Sequence, residues 1–235
     1  MILLSYESVQ AQYRRERSFH GSRISAERYI AEGREQLAKK RFRKALRLFS
    51  AAIRADRDAA SAYKLRGRVY EHIGRTVRAE RDYTRYIDLR PRDPRGYILR
   101  GDIYNFNFEH AKALEDYDTA MRLAPFDGSV HMSRGLAYMA LGKYHLAIQD
   151  YQRALKKDPE NSEVMGNLGV AYMLARDPIK AVDCFHKALA WETNPRWRER
   201  MAKWRDKLLE DPKVKAKFVR RPIEPKRVRL SGSLW

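Results

Sequence analysis

Cys184 is the one cysteine in a chain of 235 residues. No intrachain disulfide can form, which fits a reducing, intracellular compartment. Cys184 lies in AVDCFHKALA, a helical pattern in which a lone cysteine is expected to be a small buried hydrophobe rather than a nucleophile. Long apolar runs are also missing. The opening MILLSY is too short an apolar run for a signal peptide, and nothing approaches the roughly 18 apolar residues of a membrane span. The expected setting is intracellular: cytoplasmic, or cytoskeletal and ciliary. Acid is scarce beside base, with 30 Asp and Glu against 49 Lys and Arg, so the formal net charge at pH 7 is +19. A field of that sign attracts polyanions such as RNA, anionic lipid or an acidic protein surface, the microtubule among them. Catalytic patterns are absent too. The histidines (His20, His72, His110, His131, His145 and His186) show no ligand spacing with cysteine or paired carboxylates. There is no phosphate-cradling glycine loop, no GxSxG elbow and no HExxH. The chain is expected not to be an enzyme and to take no cofactor, metal or small-molecule substrate.

What is present is a period. Written in rows of 34 residues, the sequence aligns five times, at 26–59, 60–93, 94–127, 128–161 and 162–195. Row position 8 is Gly33, Gly67, Gly101, Gly135 and Gly169. Position 20 is Ala45, Ala79, Ala113, Ala147 and Ala181, and position 24 is Phe49, Tyr83, Tyr117, Tyr151 and Phe185. Position 27 is Ala52, Tyr86, Ala120, Ala154 and Ala188, position 11 is tyrosine in rows two to five, and position 32 is Pro91, Pro125 and Pro159 in the middle rows. Spacings of three and four put positions 8 and 11 on one face of a first helix, and 20, 24 and 27 on one face of a second. Glycine and alanine let the two helices approach, the aromatics fill the space beside them, and the proline ends the unit. One helix pair cannot bury its apolar face alone, so the rows must stack.

The 34-residue period and the Gly, Tyr, Ala, aromatic, Ala, Pro series resemble the tetratricopeptide repeat family over residues 26–195. The resemblance implies an all-α, right-handed α-solenoid of helix-turn-helix units. The end rows depart from the pattern, with Gln36 at the tyrosine position of row one and Arg57 and Thr193 at the proline positions of rows one and five. Residues 196–210 place Trp197, Met201, Trp204 and Leu208 on one helical face and read as a capping helix. Residues 1–25 carry weak helical spacing at Tyr6, Val9 and Tyr13, which predicts a short helix against the first repeat. Residues 211–235 read as an extended basic tail, with Lys213, Lys215, Lys217, Arg220, Arg221, Lys226, Arg227 and Arg229 interleaved with apolar side chains.

The resemblance further implies a protein partner, a peptide or helix held along the concave face made by the first helix of each repeat. The family's groove positions fall in this sequence on Arg34, Lys64, Arg68, Ile98, Asp102, Asn105, Phe106, Met132, Leu136, Met139, Val170, Met173 and Leu174. The N-terminal half of that set is charged, the C-terminal half apolar and rich in methionine, which suits an adaptable apolar contact. The acidic part of a ligand would lie toward row two. The competing occupants are the chain's own termini and cap. Some family members grip the acidic C-terminal carboxylate of large heat-shock chaperones, but of the positions that clamp needs only Lys64 fits. The expected function is a scaffold or adaptor for complex assembly, with the basic tail docking on an acidic surface. The alternatives are an RNA- or ribosome-associated factor, a microtubule or ciliary structural protein, and a peripheral membrane anchor.

Overall fold

The computed structural model describes residues 6–219, with side chains from 21 to 218. The described residues form helices and turns with no strand. They fall into two compact units, Met1–Leu141 and Gly142–Trp235.

The first unit contains α1 (Tyr6–Ala38), α2 (Phe42–Ala55), α3 (Ala60–His72), α4 (Thr76–Leu89), α5 (Pro94–Phe106), α6 (His110–Leu123) and α7 (Gly128–Ala140). Each helix packs on the next, most closely within the pairs α1–α2, α3–α4 and α5–α6. The short helix expected over residues 1–25 does not stand alone. From Tyr6 it is continuous with the first helix of row one. Asp93 and Asp127 start α5 and α7 by accepting hydrogen bonds from the backbone N–H of Arg95 and Ser129. Each hairpin turn has its fifteenth row residue in the left-handed region: Lys40 (φ 54°), Gly74 (72°) and Phe108 (63°).

The close approach of the helices is visible at the glycine column. A Cβ at Gly67 would lie 2.6 Å from Cε1 of Tyr83, and one at Gly101 would lie 2.7 Å from Cε1 of Tyr117. The ring at position 24 therefore sits directly on the glycine at position 8. Tyr83, Tyr117 and Phe49 are fully buried there. Tyr70 and Tyr104, at position 11 of rows two and three, behave differently. They stay half-exposed, with Arg66 and Arg78 over Tyr70 and Arg100 and Lys112 over Tyr104.

An ion-pair ladder locks successive rows together. Arg66 donates Nε and Nη2 to the two carboxylate oxygens of Asp82, at 2.8 and 2.7 Å, and Nη1 to Ser50 of the preceding row at 3.2 Å. Arg100 repeats the arrangement with Asp116 and Thr84. Arg134 reaches back to Asp118 at 2.8 Å. In rows two and three one guanidinium thus ties a first helix to its own second helix and to that of the row before. Both aspartates are buried and the arginines nearly so, so the pairs lie largely out of water.

The second unit contains α8 (Tyr144–Lys157), α9 (Ser162–Leu174), α10 (Pro178–Trp191), α11 (Pro195–Leu208) and α12 (Pro212–Val219). Phe185 packs on Gly169, where a Cβ would lie 2.6 Å from its Cε1. In this row the ladder positions hold Leu168 and Cys184, both buried, so an apolar pair replaces the ion pair. Burial pushes the Cys184 thiol up to about 12, as expected of a small core hydrophobe. Helix α11 closes the end of the unit. Asn194 caps it, Met201 is fully buried, Trp204 lies 5.9 Å from Phe185, and Trp197 packs edge-on to Trp204. Gly166 makes room for the cap, since a Cβ there would be 2.7 Å from the Met201 sulfur.

Residues 212–219 correct the expectation of an extended tail. They form α12, with Asp211 accepting from the backbone N–H of Lys213, Val214 buried, and Phe218 5.5 Å from His186. Val214 and Phe218 stand four residues apart, one helical face, and α10 supplies the surface that covers them. Local composition did not signal that surface.

Candidate protein-binding site

The first helices of the rows lie side by side in the first unit, with α1 touching α3 and α5 touching α7. Second helices make no comparable direct contact with one another among the described residues. The first-helix layer is thus the tighter, inner one. Its exposed face is the surface on which the family correspondence places a ligand.

Arg34 and Arg68 are exposed on this face, and Lys64 is half-buried between them and α5. The Lys64 amine is held below its ordinary pKa, chiefly by burial and then by Arg95; Asp93 opposes the shift, and Arg34 and Arg68 add to it more weakly. Four cations from three rows therefore share one field, and Lys64 also lies 5.3 Å from the Tyr86 ring. The carboxylate that faces them, Asp93, is already taken. It accepts from the Arg95 guanidinium and from the Tyr86 hydroxyl. Those bonds, the Arg95 side-chain bonds first, hold its carboxyl well below the usual range.

Farther along the same helices the tyrosines of the second layer reach through. The Tyr83 hydroxyl donates to Glu71 at 2.6 Å, and the Tyr117 hydroxyl donates to Asp102 at 2.7 Å. Asp102 also bonds Ser133, and burial raises its pKa despite both bonds. Asp102 is thus committed to the floor of the site rather than open to a ligand. Ile98 lies deeper still, in the core with Tyr117, Ala120 and Val130, and its buried side chain offers a ligand nothing. Asn105 pairs with His110 across the hairpin turn at 2.7 Å. Phe106 projects into solvent, 70% exposed. On α7, Met132 and Met139 are half-exposed and Leu136 is exposed.

In the second unit Val170 and Met173 are half-exposed along α9 and Leu174 is exposed at its end. Lys213, Lys215 and Lys217 are exposed on α12. Arg220, Arg221, Lys226, Arg227 and Arg229 lie outside the described residues. Among the described residues no group of three or more His, Cys, Asp and Glu side chains could hold a metal ion. No helix among them is long and apolar enough to cross a membrane.

The tyrosine hydroxyls escaped sequence reasoning because Tyr and Phe alternate at position 24 as equivalent core rings. One signal was available: the rows holding Tyr83 and Tyr117 carry an acid at position 12 or 9, whereas the rows holding Phe49 and Phe185 do not.

Helical hairpins in sequence order, with glycine-on-aromatic contacts inside those of rows one, two, three and five, define an α-solenoid repeat protein. The chain belongs to the tetratricopeptide repeat family, whose models match residues 30–94, 94–127, 129–161 and 150–183. Among solved structures it is similar to PilF of Pseudomonas aeruginosa, with a TM-score of 0.71 at 16% identity, covering 84% of this chain and 90% of that one. It is similar to the thermophilic TPR protein TTC0263 of Thermus thermophilus, with a TM-score of 0.64 at 22% identity over 76% and 98% of the two chains. It is also similar to YrrB, described as a TPR protein with an unusual peptide-binding site, with a TM-score of 0.58 at 19% identity over 74% and 90%. No curated protein matches this chain in sequence.

Proposed function

We propose that this protein is a non-catalytic scaffold that holds a segment of a partner protein along the first-helix face. The observation that carries this reading is the cluster of Arg34, Lys64 and Arg68, three cations beside an Arg95–Asp93 ion pair in which the one facing carboxylate is already engaged. Such a cluster leaves a positive field open to an incoming acidic group. Met132, Leu136 and Met139 on α7 would receive apolar side chains of that ligand, and Val170, Met173 and Leu174 form an apolar strip of their own on α9. YrrB, similar in fold, is a peptide-binding member of the family.

The second part of the proposal concerns α12 and the residues beyond it. Val214 and Phe218 fix the helix, which leaves Lys213, Lys215 and Lys217 displayed on an ordered surface. Docking of those lysines on an acidic protein would join that protein to the groove ligand, which is the work of an adaptor.

The test replaces Met132, Leu136 and Met139 together by glutamate, and separately Lys64 and Arg68 by glutamate. Affinity purification followed by mass spectrometry compares each variant with the wild-type chain, helicity being checked by circular dichroism. Loss of the same partner from both variants is expected. Unchanged recovery with intact helicity refutes the groove reading.

A further inference from the structure

Helices normally begin with an acceptor or an acid, because their N-termini carry about half a positive charge. The first helices α5, α7 and α9 here obey that rule through Asp93, Asp127 and Asn161. Among second helices, α10 obeys it through Asp177. Helices α2, α3, α4 and α8 break it, with no side-chain cap and no acid in the first turn, and three of them start at a cation: Arg41 for α2, Arg75 for α4 and Lys143 for α8. Residues 39–44 hold five cations and no carboxylate, and 73–78 add Arg75 and Arg78, again with none. Row positions 16, 19 and 22 are all cationic in rows one and two: Arg41, Lys44 and Arg47, then Arg75, Arg78 and Arg81. The same positions in row three read Glu109, Lys112 and Glu115. All six cations are exposed, and none of Arg41, Lys44 and Arg47 lies within ion-pair distance of a carboxylate among the described residues. This placement works against the helix dipoles, so it does not serve the helices.

The helices of this unit alternate in direction, so the turns α1–α2, α3–α4 and α5–α6 share one edge. That edge also displays apolar side chains: Ile73 (40% exposed), Val77 (59%), Phe106 (70%) and Phe108 (84%). Phe108 is the telling residue. It occupies the left-handed turn position at φ 63°, where a bulky side chain is disfavoured and rows two and four use glycine. The ring gains little burial in return. Its ring contact with His110 is edge-on, at 6.1 Å.

We infer that this hairpin-turn edge of rows one to three docks on an anionic lipid bilayer, the cations meeting headgroups and Val77, Phe106 and Phe108 entering the interfacial region. Cations and protruding apolar tips on one rim match a surface that is charged outside and apolar just beneath. A nucleic acid backbone would satisfy the cations but offers nothing to Ile73 and Val77. A folded acidic partner would need a cavity for each projecting tip, whereas a bilayer needs none. Apart from Phe106, which ends α5, none of these residues belongs to the groove set on the first-helix face.

The test is vesicle flotation of the full chain with phosphatidylcholine alone and with added phosphatidylserine, at low and at physiological salt. The wild type should float with the anionic vesicles and be released by salt. Replacing Lys40, Arg41, Lys44 and Arg75 by glutamine should weaken partitioning by about several hundredfold, since each cation contributes about fivefold. Phe108→Gly relieves the backbone, so it keeps or improves the fold, and it should weaken partitioning by about tenfold. Failure of the wild type to float overturns the inference. So does flotation that both variants retain, which would place membrane binding elsewhere in the chain. Binding of duplex RNA that Phe108→Gly leaves intact, without flotation, would identify a nucleic-acid surface and equally overturn it.

Discussion

Row five shows how the ion-pair ladder can be replaced, because it carries Leu168 and Cys184 where rows two and three carry Arg66 with Asp82 and Arg100 with Asp116. Consider Arg100→Leu. Its guanidinium now makes two bonds to a buried carboxylate, at 2.8 and 2.7 Å. With charge centres about 4 Å apart and an effective dielectric near 20, the attraction is about 4 kcal/mol. Removing the two ions from water costs several kcal/mol each, so the pair as a whole is close to neutral relative to an apolar pair. The single variant strands the Asp116 carboxylate, 8% exposed, and should cost about 3–5 kcal/mol. The double variant Arg100→Leu, Asp116→Cys installs the row-five solution and should return to within about 1 kcal/mol of the wild type. Urea denaturation followed by far-ultraviolet circular dichroism reads both, provided the m-value is unchanged. A single-variant cost below about 1 kcal/mol would mean that Asp116 is effectively solvated. A double variant as costly as the two singles added together would mean that the two side chains are not coupled. Either result refutes the reasoning.

Two glycines should respond oppositely to alanine. Gly67→Ala drives a Cβ to 2.6 Å from the buried Tyr83 ring, whose hydroxyl is tied to Glu71, and should lower Tm through overpacking of about 1–3 kcal/mol. Gly21→Ala, exposed with nothing within 4 Å, should raise Tm by the helix-propensity gain of up to about 1 kcal/mol. Asp102 and Asp93 should show opposite pH dependence in thermal melts. The folded state raises the Asp102 pKa, so its ionisation costs stability as pH rises through the carboxylate range. Asp102→Asn should therefore be the more stable protein at neutral pH, the gain vanishing below about pH 4. The folded state lowers the Asp93 pKa, so its contribution is present above the usual carboxylate range and lost as pH falls below it. Asp93→Asn should be destabilising at neutral pH and harmless in strong acid. Val214→Asp should detach α12, seen as fast hydrogen exchange confined to residues 212–219.

The sequence by itself determined the hairpin. A glycine, an alanine and an aromatic ring recurring every 34 residues are local and periodic facts, and helix geometry turns them into one packing face. That is why Gly67 and Tyr83, or Gly101 and Tyr117, meet where the pattern implies. It also set the burial of Cys184 and the cap formed by Met201 and Trp204. What the tertiary structure decided is which side each polar group faces and what covers it. Ile98 passes as a groove residue by its row position, yet Tyr117, Ala120 and Val130 enclose it. Asp82 and Asp116 look like ordinary helix-surface acids until Arg66 and Arg100 reach them from another helix sixteen residues away. Residues 212–219 read as tail because their charge pattern is local, while the α10 surface that makes them a helix is not. Whether a side chain meets water, a ring or a guanidinium depends on neighbours distant in sequence, and only the packed chain brings those neighbours together.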